Sequence, residues 1–144
     1  MAEQTQGTTE IEASPEEIIE VVADFDTYPE WVDGIRSAQV RETGDDGRPS
    51  VVAFEFSAMG FNASYTLRYE YSDTRVSWST VEASGAVKDV QGEYLLKPLN
   101  GDTEVTYRLA IEPAVKLPGL LRRQADKRAL KAGLDGLKSR VESR

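Results

Sequence analysis

Apolar residues alternate through the middle of the chain: Val52, Phe54 and Phe56, then Tyr65, Leu67 and Tyr69, then Val76 and Trp78, then Val90, Tyr94 and Leu96 around Gly92, and finally Val105, Tyr107, Leu109 and Ile111. A period of two is that of a strand with one face buried. Alternating runs at 35–43, 49–58, 61–71, 75–82, 87–97 and 103–112 are separated only by GDDG, MG, SDT, ASG and LNGD, and links so short predict an antiparallel meander. Asn100-Gly101 is the dipeptide of a type I′ hairpin turn. The other parity carries Glu55, Arg68, Glu70, Arg75, Glu93 and Arg108, which reads as a solvated face with cross-strand charge pairs. A sheet with one wet face must cover the other.

The flanking segments supply the cover. After a polar tail over 1–7, expected to be flexible, TTEIEA at 8–13 alternates and adds a seventh strand. SPEE at 14–17 starts a helix, with Ser14 as N-cap, Pro15 at its first position and Glu17 closing a capping box. Ile18, Ile19, Val22 and Phe25 form its apolar stripe. In FDTYPEWV, Phe25 to Val32, Pro29 disfavours helix at Tyr28 and leaves room for a short second turn through Trp31. Beyond Pro113 the period changes to that of a helix, running from Pro118 to the end without another proline. On this helix Ala125, Ala129, Ala132, Gly133 and Gly136 lie beside a stripe of Leu130, Leu134, Leu137 and Val141. Glycine is about 1 kcal/mol poorer than alanine in a helix interior, so two glycines imply a need for little volume. Close packing and room for a guest both satisfy that need. Without a repeat or linker, 8–144 reads as one domain.

Composition narrows the chemistry. The 144 residues include no Cys and no His, which removes thiol nucleophiles, imidazole acid–base pairs, disulfides and the commoner zinc sites. No metal or cofactor is expected. A formal charge of −8 argues against nucleic acid as a partner. Neither a basic-then-apolar leader nor eighteen consecutive apolar residues occurs, so the chain reads as cytoplasmic, without integral membrane association. One stretch departs from the acidic average: Lys116, Arg122, Arg123, Lys127, Arg128 and Lys131 gather at the start of the last helix. They form either an ordinary solvated face or a docking patch for an anionic surface or acidic partner, including transient contact with a membrane.

The order strand, short helices, six-stranded meander and long C-terminal helix resembles the helix-grip fold of START-like lipid-transfer domains, an α+β architecture. IEASPEEIIEVVADFDTYPEWVDGI, GEYLLKPLNGDTEVTYRLAIEP and the LPG…LKAGLDGLKSRVE ending are similar to the polyketide cyclase/dehydrase and coenzyme Q-binding branch of that superfamily. The resemblance implies a curved sheet around the last helix and an apolar cavity between them; a monomer or weak dimer is expected. Phe25 and Trp31 would then plug the end of the sheet, with Tyr28 and Trp31 at the cavity rim; Trp31 reads mainly as a core anchor, a ligand contact being the alternative.

The expected cavity wall is Phe54, Phe56, Tyr65, Tyr69, Trp78, Tyr94 and Tyr107, facing Ala129 and Gly133. Buried phenols need partners, which backbone or an oxygenated ligand can supply. The leading expectation is a binding module for a hydrophobic small molecule such as a lipid, quinone or polyketide. The alternatives are a cyclase or dehydratase, using Tyr65, Tyr94 or Tyr107 or a mouth carboxylate such as Glu82 or Asp89, and an interaction domain acting through 116–131.

Overall fold

The computed structural model describes residues 4–58 and 60–144. Met59 of the expected MG turn and the first three residues of the expected tail lie outside them. The chain forms seven strands: β1 (Gln4–Ile11), β2 (Ile35–Thr43), β3 (Pro49–Ala58), β4 (Phe61–Ser72), β5 (Arg75–Gly85), β6 (Val87–Leu99) and β7 (Asp102–Pro113). All neighbours are antiparallel in the order β1-β7-β6-β5-β4-β3-β2, so the six-strand meander is closed on one side by the first strand. Asn100 and Gly101 have φ of 44° and 99°, the left-handed pair that a type I′ turn requires.

Two strand boundaries differ from the sequence pattern by more than two residues. β1 begins at Gln4, opposite Ala110, so residues 4–7 of the expected tail are strand. Its inward positions Thr5, Gly7 and Thr9 are not apolar, which hides the alternation. Gly7 allows the last helix to come close, since a Cβ there would stand 2.8 Å from Leu134 Cδ1. β5 runs on to Gly85 past an irregularity at Val81, where Leu67 pairs with Thr80 and Thr66 with Glu82. The extra residue turns Val81 outward, 50% exposed.

Helix α1 (Pro15–Val22) has the predicted capping box: Glu17 N–H donates to Ser14 Oγ and Ser14 N–H to Glu17 Oε1, each at 3.2 Å. A 3-10 turn (Phe25–Thr27) leads directly into α2 (Tyr28–Trp31). Contrary to the proline argument, Tyr28 is helical, with φ −53° and ψ −40°. Its hydroxyl donates to Val22 O and its ring packs 4.8 Å from Phe25, anchoring that conformation. Helix α3 (Gly119–Glu142) crosses the concave face and packs on β1 and β7. Its C-terminal end is fastened down: Glu12 N–H donates to Glu142 at 3.0 Å, and Lys138 donates to Glu10 O.

The core lies at that fastened end. Phe25, Ile11, Ile18, Ile19, Leu137 and Val22 are almost fully buried, each aliphatic or aromatic side chain contributing about 1.5–3 kcal/mol. Thr103, the one polar residue among the fully buried described ones, donates to Ala13 O at 2.7 Å. The other end of α3 is not packed in this way, and there the sheet and helix part.

Candidate functional site

Between sheet and α3 lies a cavity of about 230 Å³. Its wall is a chain of ring contacts along the inward parity of the strands. Tyr65 stacks on Phe54 at 5.4 Å, Tyr69 meets Trp78 at 5.6 Å, Trp78 meets Tyr94 at 5.4 Å, and Tyr94 stacks on Tyr107 at 4.6 Å. Trp78 can lie flat between strands because Gly92 is its cross-strand neighbour: a Cβ at Gly92 would stand 2.6 Å from the indole. Phe54, Phe56, Tyr65, Tyr69, Trp78, Tyr94, Tyr107, Ala129 and Gly133 all line this cavity, as do Tyr28 and Trp31.

The tyrosines are not equivalent. Tyr94 donates to Gly133 O at 2.9 Å. Tyr65, Tyr69 and Tyr107 have no hydrogen-bond partner among the described residues. Burial pushes their phenols well above the ordinary tyrosine value, so they stay protonated and act as donors. Trp31 adds a fourth unused donor, its Nε1–H being buried without a partner.

The small face of α3 divides into two parts. A Cβ at Gly133 would stand 2.2 Å from Tyr107 Cε2, and one at Gly136 would stand 2.7 Å from Trp31 O. Both glycines therefore serve close packing, and Gly133 touches the cavity only through its backbone. Ala125, Ala129 and Ala132 are the positions that leave space. The rim is likewise rearranged: Tyr28 is buried, 8% exposed, and belongs to the core, whereas Trp31 is only half-buried. Tyr28, expected at the rim, is thus largely a core residue that reaches the cavity wall, and Trp31, expected mainly as a core anchor and also at the rim, is half-buried beside the cavity.

The mouth is formed by Ala58 and Phe61 at the facing ends of β3 and β4, the β5–β6 turn, the segment from Pro113 to Pro118, and the start of α3. Four charged residues missed by strand parity stand there. Arg128 pairs with Asp33 at 2.9 Å, tying α3 to the segment after α2, and Arg122 lies 3.9 Å from Asp126. Asp33 sits in a loop whose place no periodicity predicts. The mouth carboxylates expected from sequence are elsewhere: Glu82 is exposed, and Asp89 accepts from Thr80 Oγ1 at 2.6 Å, outside the cavity lining. On the convex face the predicted charge pairs are present, Glu93 accepting from Arg75 at 2.7 Å and from Arg108 at 3.1 Å.

A curved seven-stranded sheet gripping a C-terminal helix over an apolar cavity defines the helix-grip class. The sequence profile described as polyketide cyclase / dehydrase and lipid transport matches residues 3–142, and the chain belongs to that family. No curated protein sequence matches it. Among solved structures, a START superfamily protein from Mycobacterium smegmatis is 22% identical with a TM-score of 0.85, each chain being covered to 97%. The Zhui aromatase/cyclase from a Streptomyces species is 17% identical with a TM-score of 0.82, covering 100% of this chain and 96% of its own. A STAR-related lipid transfer protein from Xanthomonas axonopodis is 16% identical with a TM-score of 0.77, covering 96% and 85%. At these identities the likeness is one of fold. No helix among the described residues is long and apolar enough to cross a membrane.

Proposed function

We propose that the protein is a carrier for a compact hydrophobic molecule with one or more hydrogen-bond-accepting oxygens. The observation that carries this reading is the set of unused donors on an apolar wall: the hydroxyls of Tyr65, Tyr69 and Tyr107 and the indole N–H of Trp31. Every one can donate, and the indole N–H can only donate, so a guest with accepting oxygens, as in a ketone, quinone or ester, is complementary. The cavity, at about 230 Å³, lies below the usual ~300–1,000 Å³ of ligand pockets, which favours a small fused-ring guest over a two-chain lipid. Binding is preferred over catalysis because protonated phenols are poor bases, Tyr94 is committed to backbone, and the mouth carboxylate Asp33 is paired to Arg128.

Fluorene and fluorenone have the same shape and differ by one carbonyl, so their affinities test the idea directly. Trp31 and Trp78, the two tryptophans of the chain, both line the cavity and report binding by fluorescence. Each of Tyr65→Phe, Tyr69→Phe and Tyr107→Phe leaves the hydrocarbon affinity in place. The variant whose hydroxyl meets the carbonyl lowers the fluorenone-to-fluorene affinity ratio by about 3- to 10-fold, the worth of one hydrogen bond. A ratio unmoved by all three removes the oxygenated-guest assignment, and failure of the wild type to bind either compound removes the carrier. Recovery of a chemically altered polyketone after incubation would instead establish an enzyme.

A further inference from the structure

The lip of the mouth carries a surface that extends beyond the cavity lining, since Leu120 and Leu121 stand outside that lining and Val115 borders it. Val115, Leu120 and Leu121 are 40%, 62% and 41% exposed and lie within one short stretch. Apolar side chains so exposed and so close together mark a contact surface. Around them stand Lys116, Arg123 and Lys127, all exposed and without an ion-pair partner among the described residues. Arg122 and Arg128 are engaged by Asp126 and Asp33, so those three cations, with Lys131 further along α3, form the available charge. Arg123 folds back over the start of the helix, its Nη1 3.5 Å from where a Gly119 Cβ would stand. The first turn of α3 has neither a side-chain cap nor an acidic residue to offset its partial positive charge.

In a chain of formal charge −8, residues 115–131 carry six cations and one carboxylate, so positive charge is segregated to the mouth. We propose that this lip docks the protein, mouth first, on membranes that contain anionic phospholipid. Leu120 and Leu121 enter the headgroup–acyl boundary while Lys116, Arg123 and Lys127 remain at the phosphates. Two other occupants fit less well. An acidic protein would have to supply an apolar recess for the protruding Leu120 as well as carboxylates for the cations, and a two-fold contact between copies sets like charges against one another. The docking is independent of what the cavity holds.

Flotation of the purified protein with vesicles tests it. Binding to phosphatidylcholine mixed with phosphatidylglycerol is expected to exceed binding to phosphatidylcholine alone by about tenfold or more, and to weaken as salt rises. Leu120→Ser with Leu121→Ser lowers binding to the mixture by about tenfold, and Arg123→Glu with Lys127→Glu abolishes the preference for the anionic lipid. If the double serine variant does not fold, Leu120→Ser alone carries the same test, its side chain being the most exposed. Equal binding to both vesicles, binding to neither, or retention by the variants overturns the proposal. So does a dimer in solution that the serine changes dissociate.

Discussion

A methyl group added at Gly133 has nowhere to go, because Tyr107 is held from behind by its stack with Tyr94. Gly133→Ala is expected to destabilise the protein by about 1–3 kcal/mol in urea denaturation, the usual cost of overpacking. Ala129→Leu, four residues earlier, grows into the cavity; it is expected to keep stability within about 1 kcal/mol while abolishing fluorenone binding. Both residues look alike in the sequence, as small members of one helix face. What separates them is the ring opposite, and strand parity names the inward rings without saying which one stands against which turn of α3. Parity did suffice for the wall itself, since Phe54, Tyr65, Trp78, Tyr94 and Tyr107 are fixed by local alternation. On the convex face, partial burial alone would raise Glu93, but hydrogen bonds from Arg75 and Arg108 outweigh it and hold the carboxyl below its ordinary value of 4.5. Its stabilising effect is therefore complete above about pH 4.5 and is lost as pH falls through the lower folded-state value. Glu93→Gln should flatten that part of the stability–pH curve, by no more than about 1 kcal/mol because both arginines are well exposed.

The elements were legible where their signals are local. The box of Ser14 and Glu17 marks the start of α1 in sequence and forms it in the fold, and Ser14→Ala should cost about 1 kcal/mol in thermal or urea unfolding. The pre-proline rule failed at Tyr28 because a tertiary hydrogen bond to Val22 O and the contact with Phe25 hold a conformation that local sterics disfavour. The same docking turns Trp31 toward the opening. Since its ring is only half-buried, Trp31→Ala should cost less than the ~3–5 kcal/mol of a fully buried aromatic, and it should weaken fluorenone binding as well. A loss of the full amount with binding intact would restore Trp31 to a purely structural role. The mouth was least legible: Asp33 and the Pro113–Pro118 segment lie between periodic stretches, where the path of the backbone depends on what α2 and α3 pack against.

At the scale of the whole molecule, an occupied cavity ties sheet and helix together, so a guest that binds only the folded chain must raise its stability. Fluorenone at a hundred times its dissociation constant should add about 2.7 kcal/mol, read as a shift in the unfolding midpoint. The pairing of β1 with β7 has a different consequence, in time rather than in energy. Strands β2 to β7 join their sequence neighbours through short turns and can zip up as successive hairpins, whereas Gln6 meets Arg108 only after a loop of about a hundred residues has closed. Long-range pairing of this kind is slow, and it is reached after the local contacts have formed. Pulse-labelled hydrogen exchange during refolding should therefore show amides of β3 and β4 protected before those of β1. Because α3 packs chiefly on β1 and β7, the helix cannot settle until that late strand is in place. The newly made chain thus passes through a stage in which its aromatic wall is built but uncovered, and the interval before β1 docks is when it is most exposed to aggregation.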